Sequence, residues 1–468
     1  MTEKRHETDL VVIGGGPGGY AAAFHAAQLD LKVTLIDIRE NPGGVCLNVG
    51  CIPSKALLHA AEILDEARHA EEIGLSFSAP KIDLDKLRSW KEKVVSQLTG
   101  GLGQLAKQHE IRYIQGSARF KDPHTLSIEG GDVDEVSFRH AIIATGSRPS
   151  TVPGLDLDSE RLMDSTGALE LVDIPKTLLV VGGGYIGLEL GTVYAALGTK
   201  VTVVELLDGL LPGADRDLVR PLAKRVKETF EAVHLKTKVV SMTDVKKGIK
   251  VKFEGAVNEE QTFERVLVSV GRTPNSEGLG LENISVRVAA NGFIEIDRQC
   301  RTSEPHIFAI GDVAGQPMLA HKAMREGKVA AEVIAGRNSA FDNQAIPAVV
   351  FTNPEVAWAG IMETEAKQKG IDVQVVRFPW AACGRALTLG RTDGMTKMVV
   401  EPESGRILGV GIVGPNAGEL IAEGTLAIEM GAVAEDLALT IHTHPTLSET
   451  VGEVAELFLG HATHIYRK

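Results

Sequence analysis

The chain is 468 residues long, with 49 Lys and Arg against 62 Asp and Glu and a formal net charge of −13 at neutral pH. At roughly 150 residues per domain it has room for about three domains and a large buried core. The acidic balance, with aromatic residues at only 4%, excludes a basic phosphate-binding face and a base-stacking platform, so nucleic acid is not an expected partner.

Met1 to Asp9 is polar and charged, and the apolar run behind it breaks at once into glycines, so no secretory signal is expected. No uncharged apolar stretch reaches the ~18 residues of a membrane span. The expectation is a cytoplasmic protein without a membrane span. Its four cysteines are Cys46, Cys51, Cys300 and Cys383, and in a reducing compartment a close pair among so few points to catalysis more than to a structural staple. Fifty residues are glycine, above the ordinary share of about 7%, which points to backbone work in turns and close approaches.

In chain order, Leu10 to Ile13 is an apolar strand that runs into Gly14-Gly15-Gly16-Pro17-Gly18-Gly19, an alanine-rich helix to about Leu29, and a second strand from Lys32 to Asp37. Gly14, Gly16 and Gly19 fit the G-x-G-x-x-G pattern, which allows a tight turn, close approach of backbone N–H groups to a pyrophosphate, and close helix–strand packing. The strand, the helix and an acid, Asp37, 18 positions past the last glycine are the context this fingerprint requires. The unit recurs. Thr177 to Val181 is a strand, Gly182, Gly184 and Gly187 repeat the fingerprint, and Lys200 to Glu205 is the strand that follows, at a constant offset of 168 residues. Two fingerprints, each with its acid in register, predict two dinucleotide sites; the alternative is glycine-rich turns without a ligand.

Strands are predicted at Ala141 to Arg148 and Val266 to Arg272, closed by Pro149 and Pro274 like domain exits, and at Ile307 to Ile310, which ends in Gly311-Asp312. The last places a carboxylate at the carboxyl edge of a sheet, where open α/β folds bind ligands. Beyond about Ile346 short strands such as 398–400 and 407–412 precede helices at 418–430 and near the end. The division is 1–150, 151–275, 276–346 and 347–468.

Between the two units lies Gly43-Gly44-Val45-Cys46-Leu47-Asn48-Val49-Gly50-Cys51-Ile52-Pro53-Ser54-Lys55. Residues five apart on a regular helix are too distant for a disulfide, so Cys46 and Cys51 must span a turn or an irregular helix start, which Gly50 and Pro53 suit. A helix N-terminus and a nearby cation, here Lys55, both lower a thiol pKa. A stabilising disulfide or two buried thiols are the bland alternatives. A metal site is weaker, since no histidine lies at ligand spacing, and no metal is expected.

A dithiol beside one dinucleotide, with a second dinucleotide in the chain, suggests a redox relay. Thiols cannot pass a hydride to a nicotinamide, whereas a flavin accepts two electrons from a thiolate and returns them as hydride. The first unit should therefore hold FAD and the second a nicotinamide. Glu205, with no arginine directly after it, favours NAD over NADP, because a carboxylate accepts from the ribose 2′-OH and repels a 2′-phosphate. Near the C-terminus, His442-Thr443-His444-Pro445-Thr446-Leu447-Ser448-Glu449 offers a histidine base for a substrate thiol. The same segment also fits a helix capping box.

With GGVCLNVGCIPSK, two G-x-G-x-x-G units, ATGSRP, GRTPN, AIGD and HTHPTLSE in this order, the chain resembles the class I pyridine nucleotide-disulfide oxidoreductases over essentially its whole length, and among them those that oxidise dihydrolipoamide. The resemblance implies an α/β fold with two Rossmann-like dinucleotide-binding domains for FAD and NAD, a central domain completing the FAD site and a C-terminal α+β dimerisation domain. It implies that Cys46 meets the substrate and Cys51 faces the flavin, and that His444 is the base, oriented by Glu449 and supplied by the other subunit of a homodimer. Lys55 matches the lysine near the flavin, with Glu189 its ion-pair partner. Gly116, Thr145, Gly146, Ser147, Asp312 and the run Met318, Leu319, Ala320 and His321 match flavin-site positions. Gly182, Gly184, Gly187, Glu205, Val239 and Gly271 match the nicotinamide site, with Tyr185 as the aromatic gate. Asp37 stands where glutamate is more usual. Cys300 and Cys383 match no redox position and are read as packing residues. The implied activity is reoxidation of protein-bound dihydrolipoamide, with lipoyl domains and the acyltransferase core of 2-oxo acid dehydrogenase complexes as partners and possible service to a glycine cleavage system.

Sister reductases with other substrates would carry NADP-binding arginines or C-terminal cysteines, and a soluble transhydrogenase would lack the cysteine pair. A docking subunit whose main contribution is binding is the alternative of a different class.

Overall fold

The computed structural model describes residues 4–466. Its first sheet orders the strands Arg112–Gln115, Val33–Asp37, Arg5–Ile13, Glu135–Ile143, Thr125–Glu129 and Ser117–Asp122, and Ile307–Ala309 joins it alongside the end of Glu135–Ile143. The strands that meet at the centre are parallel, so both faces must be covered, and the apolar run Leu10 to Ile13 is buried on both. Leu10 and Val12 face the helices Pro17–Gln28 and Ala320–Ile334, while Val11 and Ile13 face the antiparallel strands around Phe120, Leu126 and Phe138. The alanines of the first helix, with Gly18 and Gly327, let the two helices approach: a Cβ on Gly327 would stand 2.6 Å from the Gly18 carbonyl oxygen. Residues 276–346 thus place a strand and a helix in the layers of the first sheet.

The second unit repeats the plan. Its parallel sheet orders Ala232–His234, Lys200–Val204, Thr177–Val181, Arg265–Val268 and Leu162–Met163. An antiparallel sheet of Thr237–Val245, Gly248–Gly255 and Glu260–Phe263 packs on it through Ile249, Val251, Phe253 and Phe263. The chain passes between the units through Ser147–Pro149 and Arg272–Pro274, which pair antiparallel with each other. Here the structure corrects the expected strands at 141–148 and 266–272. Each breaks before its end, at residues 144–146 and 269–271, because the backbone must leave one sheet to form the crossing pair; Gly146 (φ +69°) and Gly271 (φ +124°) take conformations that other residues rarely adopt.

The C-terminal sheet is antiparallel, in the order Ala348–Val350, Glu355–Gly360, Ile407–Gly414, Met395–Val400 and Gln374–Pro379. Helices Ala417–Glu429 and Glu449–Leu459 contribute to its core. Leu426, Met430, Leu439 and Ile441 remain exposed there, Ile441 at 97%. Among the described residues no helix is long and apolar enough to cross a membrane.

Candidate active site

Both glycine loops are shaped by contacts that exclude a side chain. A Cβ on Gly14 would lie 2.3 Å from the Ala144 carbonyl oxygen, and one on Gly19 only 1.8 Å from that of Gly14. In the second unit the matching distances are 2.5 Å from Gly182 to the Ser269 oxygen and 2.3 Å from Gly187 to the Gly182 oxygen. Gly16 and Gly184 precede the first turns of Pro17–Gln28 and Tyr185–Leu197, leaving the unpaired N–H groups of a helix start, the donor set that a pyrophosphate takes up. Each loop is tied to its acid. The Gly15 N–H donates to Asp37 Oδ2 at 2.5 Å and the Arg39 N–H to Oδ1 at 2.9 Å; the Gly183 N–H donates to Glu205 Oε2 at 2.7 Å and the Leu207 N–H to Oε1 at 2.8 Å.

The first loop opens on a cavity of about 430 Å³ lined by Gly14, Gly16, Asp37, Gly116, Thr145, Gly146, Ser147, Asp312, Met318 and Ala320. That volume lies in the range of small-molecule and cofactor pockets. With the glycine cradle and helix start on one wall, these residues fit a dinucleotide. Asp312, on the turn Gly311–Val313, accepts a 2.5 Å hydrogen bond from Ser147 Oγ, which in turn accepts one from Arg272 Nε at 2.7 Å. Asn275 Nδ2 donates to the Thr145 carbonyl at 3.0 Å, and Thr145 Oγ1 donates to the Asn275 carbonyl at 2.7 Å. Arg272 and Asn275 belong to the GRTPN motif but were not expected at the site, because the segment also reads as a domain exit; its pairing with Ser147–Pro149 is what brings them there.

Cys46 and Cys51 also line this cavity and are both free thiols. Cys46 sits in the short helix Gly44–Val49 and Cys51 begins the long helix Cys51–His69, with Gly50 at the break. A Cβ on Gly50 would lie 2.9 Å from the Val45 carbonyl oxygen, so the two helix pieces close up only around a glycine. Cys51 is exposed and Cys46 partly buried. The hydrogen bond from Cys46 lowers the Cys51 thiol to about 7, helped by the Lys55 ammonium one helical turn on and opposed by burial and Glu189. Cys46, the donor in that bond, is pushed up. Of the two, Cys51 ionises first.

Lys55 Nζ lies 2.7 Å from Glu189 Oε2 and 4.5 Å from the centre of the Phe351 ring. Glu189 belongs to the second unit's helix, whose Tyr185 and Ile186 also line the cavity. Burial pushes the Tyr185 phenol up to about 12, with Arg272 partly opposing it. The second unit therefore borders the dithiol cavity with the start of its own fingerprint helix.

Other expected site residues stand elsewhere. His444 is exposed; its Nδ1 is 2.8 Å from Glu449 Oε1, and Glu449 Oε2 accepts the Thr446 N–H at 2.7 Å. Burial would raise the Glu449 carboxyl, but the Thr446 N–H and His444 hold it below its usual value. One carboxylate thus serves both the turn and the histidine, but the pair does not line the cavity of its own chain. Leu319 precedes the helix Ala320–Ile334, and His321 points away, its Nε2 2.7 Å from the Pro347 carbonyl oxygen. Val239 lies on the outer antiparallel sheet opposite Phe253, and Gly271 lies on the crossing beside Ser150; neither lines the cavity. Cys300 and Cys383 are buried.

The model of the pyridine nucleotide-disulphide oxidoreductase family matches residues 8–327, and that of the family's dimerisation domain matches residues 346–455. Dihydrolipoyl dehydrogenases from Vibrio cholerae and Geobacillus stearothermophilus are each 50% identical to the chain over 465 residues, covering 99% of it and 98% of the relative. Among solved structures, LpdA from Mycobacterium tuberculosis superposes with a TM-score of 0.90 at 27% identity, covering 96% of this chain and 99% of that one. RclA from Escherichia coli, a HOCl-induced flavoprotein disulfide reductase, superposes with a TM-score of 0.85 at 28% identity, covering 96% and 99%. The repeated glycine units and the intervening dithiol agree with these likenesses: the chain belongs to the pyridine nucleotide-disulphide oxidoreductase family.

Proposed function

We propose that this chain oxidises dihydrolipoamide to lipoamide with NAD as the final acceptor, working in the cytoplasm as a homodimer. Its substrate is carried on lipoyl domains, and its docking partner is the acyltransferase core of a 2-oxo acid dehydrogenase complex. The observation that carries the reading is the dithiol, placed in a cavity bordered by both glycine units. Gly14, Gly16, Gly19, Asp37 and Gly116 would hold FAD, with Asp312 and Met318 to Ala320; Gly182, Gly184, Gly187 and Glu205 would hold NAD. A bound flavin supplies a two-electron acceptor for the dithiol and a hydride donor to the nicotinamide.

In the oxidised chain Cys46 and Cys51 are joined. His444, its Nδ1 engaged by Glu449, takes the proton from one substrate thiol at Nε2. The resulting thiolate attacks Cys46 Sγ; the Cys46–Cys51 bond breaks and Cys51 leaves as a thiolate, the better leaving group because Lys55 and the helix start favour its charge. The second substrate thiol then attacks the first substrate sulfur, its proton passes to Cys46, and the cyclic disulfide departs. Two electrons now reside in the dithiol, with one proton on His444. That His444 does not line the cavity of its own chain supports its serving the cavity of the second subunit. The exposed Leu426, Met430, Leu439 and Ile441 supply an apolar face for that association.

The test is an anaerobic visible spectrum before and after one equivalent of NADH or dihydrolipoamide. A flavin spectrum that gains a long-wavelength thiolate-to-flavin band supports the relay. Full bleaching without the band uncouples the dithiol from the flavin and overturns it.

A further inference from the structure

Phe351 is contributed by the C-terminal part of the chain, in the segment that follows the strand Ala348–Val350. It makes two contacts at the redox pair that are chemically independent. Its ring lies under the Lys55 ammonium, 4.5 Å from Nζ to the centroid, and its backbone N–H donates to Glu189 Oε1 at 3.0 Å. Glu189 Oε2 is engaged by Lys55 at 2.7 Å. The ammonium is thus shared between a carboxylate that draws it toward the second unit and an aromatic face that holds it where it stands. Besides Lys55, titratable groups that interact with Cys51 include Cys46 on the short helix, Tyr20 on the first fingerprint helix, and Tyr185 and Glu189 on the second. Lys55 is the cation among those groups.

We propose that Phe351 is a positioning residue for the redox pair: its ring, with Glu189, fixes the Lys55 ammonium in one place, so that the C-terminal domain sets how much positive charge Cys51 faces. The inference rests on the relay proposed above. Without the ring, Lys55 is held by Glu189 alone, its ammonium spends part of its time in water, and the Cys51 thiolate loses part of its counter-charge.

The experiment compares Phe351→Leu with Phe351→Tyr in the holoenzyme. Leucine keeps an apolar side chain and the backbone N–H to Glu189 but has no π face; tyrosine restores the face. The readouts are the pH midpoint of the long-wavelength band in the two-electron-reduced protein and the pH dependence of Cys51 alkylation by iodoacetamide, assigned to Cys51 rather than Cys46 by fragment ions of the peptide that carries both. In Phe351→Leu both midpoints should rise by about half a pH unit, and in Phe351→Tyr both should stay at the wild-type value. Flavin content and Tm of each variant show whether it is folded, and Phe351→Met is the second non-aromatic variant should leucine fail to fold. If wild type shows the band and the folded non-aromatic variant titrates with wild type, the assignment to Phe351 is overturned while the relay stands. If wild type itself has no band, relay and assignment fall together.

Discussion

The two glycine units differ least where the backbone turns and most one helix further on. Gly14 and Gly182 each donate an N–H at 2.8 Å to the end of the following strand, at Ile36 and Val204, and the carbonyls of Gly15 and Gly183 accept from Gly43 at 2.7 Å and Leu211 at 3.0 Å. Asp37 is one methylene shorter than Glu205, yet each bridges a loop N–H and the N–H two residues past itself. The offset of 168 residues carries Pro53 onto Pro221, but Cys46, Cys51 and Lys55 onto Ala214, Val219 and Ala223. One scaffold thus serves twice, and three side chains separate a redox unit from a plain dinucleotide unit. Cover separates them too. The first unit's helix is packed by Ala320–Ile334, whereas the second's is turned toward the cysteine helix and lends it Glu189.

The strongest challenge to that contrast is to remove the chemistry and leave the scaffold. Cys46→Ser should lower lipoamide turnover at least about a thousandfold while flavin content stays at the wild-type level, as read by steady-state assay and the 450 nm to 280 nm absorbance ratio; turnover near wild type would place the chemistry elsewhere. Next in size are the matched glycine changes. Gly19→Ala and Gly187→Ala each force a Cβ onto a carbonyl oxygen, at a cost of about 3 kcal/mol. The first should strip flavin from the purified protein, and the second should leave flavin in place and raise the KM for NAD. If both changes hit the same ligand, the two units do not divide the labour. Glu205→Ala removes the acceptor for two loop N–H groups and for a ribose hydroxyl, so the KM for NAD should rise about tenfold, with discrimination against NADP reduced in the same assay.

The smallest effect is a pH one at the back of the second unit. Fully buried Lys397, on the strand Met395–Val400, contacts Asp215 at 2.7 Å, Asp217 at 2.9 Å and Glu363 at 2.8 Å, tying that unit to the C-terminal sheet. Burial alone would raise Asp215 and Asp217, but their hydrogen bonds with Lys397 leave both carboxyls below the usual value. A depressed carboxyl stabilises the fold above its unfolded pKa, near 4, and that contribution is lost as pH falls through the folded value. Below about pH 4, hydrogen exchange should therefore open this junction first, with the first sheet still protected. Simultaneous loss of both would count against a local tie.

The glycine units were legible because their signal is local: a run of apolar residues, glycines at fixed spacing and an acid in register lie within some forty residues of chain. The irregular helix start at Gly50 was legible for the same reason, since covalent geometry forbids two cysteines five apart on one regular helix from meeting. The strands at 141–148 and 266–272 were overextended because their apolar pattern continues past the point where each leaves its sheet, and the pairing that draws them out joins Ser147 to Pro274.

What local sequence could not supply is the company each side chain keeps. Lys55 meets Glu189 across 134 positions, Ser147 meets Asp312 across 165 and Glu189 meets the Phe351 N–H across 162; no periodicity encodes which distant groups converge. Residue types and short spacings state what chemistry is available, because a thiol or a glycine loop carries its properties with it. How strongly that chemistry is expressed depends on burial and neighbouring charge, and these arise only when the two units close around one cavity and Phe351 of the C-terminal part reaches Lys55 and Glu189 beside it.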